Sequence, residues 1–274
     1  MNLDSLASHP VLKRNNVSVI GSGKNIAVLA HGFGCDQTMW RFLIPKLEDD
    51  FTIVLFDYTG CGQSDASFFD REKYQSLTGY AQDLIEICDA LAAHSVVFFG
   101  HSVSSIIGIL AAIQRPDLFA EMVLVCPSPC FLNFPPDYHG GFDQADLEEL
   151  INLMDKNHVG WANYLAPLVV GDNHPEEMTV MLADSFCSTD PVYLKPFAKA
   201  TFFSDHREDL AACFVPSLIL QSGNDSLAAT QIGEYMAKKM PNSVLKVVQA
   251  NGHCLHMTNP DEVVMAFKHF SRVA

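Results

Sequence analysis

An α/β fold with a mainly parallel sheet is predicted for this 274-residue chain, and three observations carry it. Short apolar runs alternate with helical stretches, the order expected of parallel strands joined by crossover helices. Those runs lack polar/apolar alternation, so both of their faces are buried. Between residues 131 and 205 the strand signal disappears, which marks a helical insertion.

The runs at 26–30, 51–56, 96–99, 122–125, 217–220 and 244–248 are rich in Val, Ile, Leu or Phe and are assigned as strands. Over 79–93, Tyr80, Leu84, Ile87 and Leu91 recur at spacings of three and four, so they share one face of a helix packed on the sheet. The segment 95–113 approaches the length of a membrane span. Gly100-His101-Ser102 and Ser104 interrupt it, so it reads as a buried strand turning into a buried helix. Within the insertion, 146–157, 176–186 and 191–201 read as amphipathic helices separated by Pro and Gly. The core is therefore assigned to 1–132 and 206–274, and the helical segment to 133–205. Its place between two strands of the sheet suits a lid over a site. No internal repeat or low-complexity tract is apparent.

Composition narrows the function. Hydrophobic residues make up 49% and charged residues 18%, as in ordinary globular proteins. A net charge of −15 lacks the basic footprint of a nucleic-acid or anionic-membrane binder. The eight cysteines form no C-x-x-C pair or finger spacing, so they are expected to be reduced thiols of a cytoplasmic protein. The N-terminal segment MNLDSLASHPVLKRNN has no apolar signal region.

The sharpest motif is Gly100-His101-Ser102-Val103-Ser104. A serine on a tight turn between a buried strand and a buried helix exposes its hydroxyl beside helix-terminal amides, the arrangement of a nucleophile elbow. The second glycine of the usual motif is replaced here by Ser104. Read alone, Ser102 could equally be a helix N-cap. A serine hydroxyl needs a base to take its proton, and in such sheets an acid and then a histidine follow in chain order. Asp225, just past the strand at 217–220, and His253, just past the strand at 244–248, meet that requirement. Both stand in loops at carboxyl ends of parallel strands, where open α/β sheets gather their sites.

Taken singly, Asp225 could be a turn residue and His253 a loop histidine, or half of a metal pair with His256. Zinc needs three or four ligands, and no further His/Cys set has suitable spacing. The three residues in order predict a Ser102-His253-Asp225 triad. His31-Gly32-Phe33 follows the first buried strand, which assigns the backbone amides of Phe33 and Val103 as oxyanion donors. Gly60-Cys61-Gly62 lacks the third glycine of a dinucleotide loop. Glu148-Glu149 and Asp49-Asp50 read as solvated charge. No metal or organic cofactor is expected.

Residues 30–40 (AHGFGCDQTMW), 57–65, 100–108 (GHSVSSIIG), 115–119 (RPDLF), Ser128-Pro129, Gly140-Gly141-Phe142, 203–210 (FSDHREDL) and 252–257 (GHCLHM) together carry a resemblance spanning nearly the whole chain. The chain resembles the α/β-hydrolase group of the bacterial sigma-B regulator RsbQ and the plant karrikin and strigolactone receptors. That resemblance implies an α/β-hydrolase fold with a four-helix lid, the same triad, and a small apolar pocket beneath the lid. By position, Phe33, His101, Phe131, Trp161 and Phe202 match the group's pocket-lining residues. The segment 186–191 (FCSTDP) is similar to the bacterial regulator and Ser104 to the plant receptors. Leu165 stands where the plant group has an aromatic, which implies a roomier pocket.

Two functions follow as expectations. One is a serine hydrolase of small apolar esters or butenolide-type lactones. The other is a slow-turnover sensor that recruits a protein partner: a stress-cascade phosphatase by the bacterial likeness, an F-box protein by the plant one.

Overall fold

The computed structural model describes residues 9–272. The first eight residues of the N-terminal segment, and with them the outer ends of the spans 1–132 and 206–274, lie outside the described residues. In chain order the regular elements begin with α1 (Pro10–Arg14), β1 (Ser18–Ile20), β2 (Asn25–Ala30), β3 (Phe51–Leu55), α2 (Leu77–Ala90), β4 (Val96–His101), α3 (Val103–Gln114) and β5 (Phe119–Val125). Then come α4 (Gln144–Lys156), α5 (His158–Val170), α6 (Glu176–Ser188) and α7 (Pro191–Phe202). The chain closes with β6 (Ser217–Asn224), α8 (Thr230–Lys239), β7 (Ser243–Asn251), α9 (Leu255–Thr258) and α10 (Pro260–Phe270).

The seven strands form one sheet in the order β1-β3-β2-β4-β5-β6-β7. Only β1 runs antiparallel to its neighbour. This is the α/β-hydrolase fold, and four helices between β5 and β6 fit a lid. One core layer packs α2 and α3 on the sheet through Tyr80, Leu84, Ile106 and Ile109. The other packs α10 and the turn at 37–42 through Trp40, Phe51, Phe99 and Phe267. Each fully buried side chain of this size contributes about 1.5–3 kcal/mol.

Four local readings change. β1 was not expected, because two half-buried residues and an exposed one carry no periodicity. The strand expected at 244–248 forms, but as the sheet edge: Val244 is 54% exposed, so β7 is not buried on both faces. The helix expected over 79–93 ends at Ala90, and Ala92 turns the chain with φ +50°. α5 is apolar nearly all round and carries Pro167 inside it, which hides its helical period. Among the described residues, no helix is long and apolar enough to cross a membrane. All eight cysteines are free thiols, seven of them buried.

Candidate active site

The site begins where β4 meets α3. Gly100 is required there, since a Cβ would lie 2.8 Å from the backbone of Ser104. That close approach lets the chain reverse through Ser102, whose φ of +54° and ψ of −121° are strained for a side-chain-bearing residue. Ser102 N–H donates to the Val125 carbonyl at 2.8 Å, and Ser105 Oγ donates to the Gly100 carbonyl at 2.8 Å. Ser102 makes no side-chain N-cap bond. Its hydroxyl instead lies 2.8 Å from His253 Nε2.

His253 Nδ1 is 2.7 Å from Asp225 Oδ2. The other oxygen, Asp225 Oδ1, accepts from the amides of Leu227 (2.8 Å) and Ala228 (3.1 Å). The carboxylate is thereby fixed in rotation, and the shared hydrogen belongs on His253 Nδ1. Nε2 is then left with a lone pair directed at the serine. β6 and β7 run side by side up to Asn224 and Asn251, which brings the two loops together. Such a chain can move a proton from hydroxyl to ring.

Ser104, the departure from the usual elbow, is fully buried and has a defined role. Its Oγ donates to the His31 carbonyl and lies 2.9 Å from Tyr58 Oη. The His31 ring accepts from Tyr58 N–H at 3.2 Å, so its Nδ1–H donates to the Gly32 carbonyl at 2.9 Å. The peptide thus held by its carbonyl is the one whose N–H belongs to Phe33. Neither Phe33 nor Val103 N–H donates to a backbone carbonyl among the described residues. Both amides remain available to an anionic oxygen.

Phe33, His101, Phe131 and Phe202 stand with Ser102 and His253 around one cavity. Trp161 does not reach its wall. Its ring packs edge-on to Phe33 at 6.1 Å, lies against Phe186 at 5.2 Å, and stacks on His158 at 5.5 Å. Trp161 therefore supports the wall from the layer behind. Leu165, Val169, Leu182 and Phe186 line it as well, together with Cys35, Thr201, Leu227 and Cys254, and of these only Leu165 was singled out from the sequence for the pocket. Helical period shows that such residues are buried, not that they face a cavity. Leu165 stands on this wall, and the open space beside it is about 30 Å³, enough for about one or two waters. A far larger open depression, about 1010 Å³, runs along β7 and α10 and contains none of these residues.

Behind His253 lies a second histidine layer. His101 Nε2 donates to the His253 carbonyl at 2.9 Å, and the His101 ring lies 4.2 Å from that of His256. Both ring nitrogens of His256 lack a hydrogen-bond partner among the described residues. Burial, and after it the neighbouring His253, pushes His256 down to about 3. Burial likewise holds His101 well below its usual value. The unfolded chain therefore binds more protons than the native one below about pH 6.5, and stability falls as pH drops from there toward 3. Each such histidine contributes roughly 1.4 kcal/mol per pH unit. Urea midpoints between pH 6.5 and 4 should show this loss, and His256→Leu should reduce the slope by about one histidine's share.

The alpha/beta hydrolase family matches residues 27–266. The karrikin insensitive 2 receptor CA of Petunia hybrida is 38% identical over 255 residues, covering 93% of this chain and 94% of the receptor. The strigolactone esterase D14 of Arabidopsis thaliana is 33% identical over 260 residues, covering 94% and 96%. Among solved structures, a hydrolase from Oleispira antarctica is 55% identical with a TM-score of 0.93, covering 95% of this chain and 96% of that one.

Proposed function

Because the chain belongs to the alpha/beta hydrolase family, we propose that it is a serine hydrolase of small apolar esters or butenolide-type lactones, working through Ser102, His253 and Asp225. The observation that carries this reading is the unbroken run of contacts from Asp225 Oδ2 to His253 Nδ1 (2.7 Å) and from His253 Nε2 to Ser102 Oγ (2.8 Å). Ser102 Oγ attacks the carbonyl carbon as His253 Nε2 takes its proton. The Phe33 and Val103 amides hold the oxyanion. Collapse returns the proton to the leaving oxygen, and from a lactone that alcohol stays attached to the acyl group. Water, deprotonated by the same ring, then frees Ser102. Asp225 keeps the imidazole in the required tautomer. Residues 133–205 act as the lid, and the small space beneath it means that the lid moves to admit substrate.

Pocket shape gives an expected result. Phe186→Ala removes a ring that fills the cavity, so kcat/KM for a butyrate ester relative to acetate should rise about tenfold or more. Steady-state kinetics on p-nitrophenyl esters measures it. An unchanged ratio would mean that Phe186 does not limit the acyl group.

A second reading, a small-molecule sensor with slow turnover and a protein partner, is favoured by the receptor named among the relatives. Intact-protein mass spectrometry during hydrolysis of a butenolide probe, beside steady-state kinetics, separates the two. Fast turnover with no lasting adduct supports the metabolic hydrolase. A persistent adduct on Ser102 or His253 supports the sensor, and ligand-dependent co-purification of a partner would extend it.

A further inference from the structure

Cys126 follows the carboxyl end of β5 and has no part in the chemistry above, yet it lies directly behind it. Its sulfur, a carboxylate oxygen of Asp225 and a ring nitrogen of His253 all lie within 4.8 Å of one another, and all three residues are buried. Around a tetrahedral zinc, with Zn–S about 2.3 Å and Zn–N or Zn–O about 2.0 Å, ligand atoms stand roughly 3.3–3.6 Å apart. Asp225 Oδ2 and His253 Nδ1 are 2.7 Å apart, so a metal between them has to open that hydrogen bond by roughly 0.6 Å.

Two features, its backbone conformation and its charge balance, bear on the grouping. Cys126 has φ +49°, a left-handed conformation uncommon for a side-chain-bearing residue, held by its N–H donating to the Leu220 carbonyl at 2.7 Å. Burial, and after it the neighbouring Asp225 and Cys254, holds the Cys126 thiol well above its usual value, so the sulfur keeps its proton until a cation displaces it. The charges also balance: one thiolate and one carboxylate neutralise a divalent cation, so the occupied site buries no net charge.

We propose that a thiophilic divalent cation, Zn²⁺, binds Cys126 Sγ, Asp225 Oδ2 and His253 Nδ1, and that its binding turns the hydrolase off. Imidazole and thiolate select zinc over magnesium or calcium, and water fills the fourth position. Two protons move. The Cys126 thiol releases its proton to solvent as sulfur binds the metal. The proton on His253 Nδ1 moves to Nε2 as the Nδ1 lone pair binds. Nε2 then presents a hydrogen to Ser102 instead of a lone pair, and it can no longer take the hydroxyl proton. The metal binding stands on geometry alone, whereas the inhibition rests on His253 acting as the base.

The test uses the full chain as wild type, Cys126→Ser and Cys126→Gly. The glycine variant is chosen because it accepts the positive φ without strain. Cobalt(II) titration should give a thiolate-to-metal charge-transfer band in the near ultraviolet, and native mass spectrometry should count one zinc per chain. Zinc should inhibit p-nitrophenyl acetate hydrolysis reversibly with a chelator, and magnesium should not. In each folded Cys126 variant the band should vanish. Zinc should also inhibit at least about tenfold more weakly, relative to that variant's own activity. No charge-transfer band in the wild type, or a band and inhibition unchanged in either variant, would overturn the site. If no ester is hydrolysed at all, the hydrolase reading fails and the cobalt band still decides metal binding.

Discussion

Replacing Ser102 with alanine should lower p-nitrophenyl acetate hydrolysis by about 10³-fold or more while leaving the chain folded. The hydroxyl makes no N-cap bond, and its partner in the structure is His253 Nε2. The backbone turn is held instead by Gly100, by the Ser105 hydroxyl and by the Ser102 amide on Val125, none of which the substitution removes. Residual rate should survive through the amides of Phe33 and Val103, since donors to the oxyanion act without the nucleophile. His253→Ala should match the loss, because the two groups act as a unit. Retention of most activity by either variant, with a native circular-dichroism spectrum, would sink the triad.

The largest stability effect is expected far from that chemistry. Asp83 points into the protein from α2, with a side chain fully shielded from solvent. Its carboxylate takes Arg14 at 3.1 Å, Lys73 at 2.7 Å, Thr59 Oγ1 at 3.0 Å, Tyr74 Oη at 3.0 Å and Asn15 Nδ2 at 3.4 Å. These partners come from α1, from the loop after β3 and from the segment before α2. One carboxylate therefore ties the N-terminal part of the core together. Asp83→Ala leaves the buried hydroxyls of Thr59 and Tyr74 without their acceptor and leaves Arg14 and Lys73 with Glu86 as their carboxylate, which costs about 3–5 kcal/mol. At this chain length that lowers the thermal midpoint by roughly 5–10 °C. Asp89→Ala removes a half-exposed partner of Arg115 and should leave the midpoint unchanged, because exposed pairs are screened by water. Equal effects at both positions would refute the argument.

Asp83 also shows where reading the sequence stops. The face Tyr80, Leu84, Ile87 and Leu91 is visible from spacing, and all four are buried as expected. An aspartate inside the same helix looks like its solvent side. Only the approach of Arg14, 69 positions away, and Lys73, 10 positions away, makes burial tolerable. The same contrast runs through the candidate site. Ser102, Asp225 and His253 announce themselves because each ends a strand, and parallel strands deliver their carboxyl ends to one edge of the sheet. Trp161 sits behind the cavity wall, and Phe186 and Leu182 sit on it, because the packing of α5 against α6 sets which buried face meets the space.

What the sequence by itself determined is the alternation of buried strands and helices, the elbow at Ser102, and the chain order of serine, acid and histidine. These are local properties, written in apolar period, glycine position and strand ends. Tertiary structure alone decided that β7 is an edge, that the helices over the site leave about 30 Å³ of open space, and that Cys126 stands behind Asp225 and His253. The physical reason is that periodicity reports which side of an element avoids water. What that side touches depends on contacts between residues on different elements, which form only when the sheet and its insertion close.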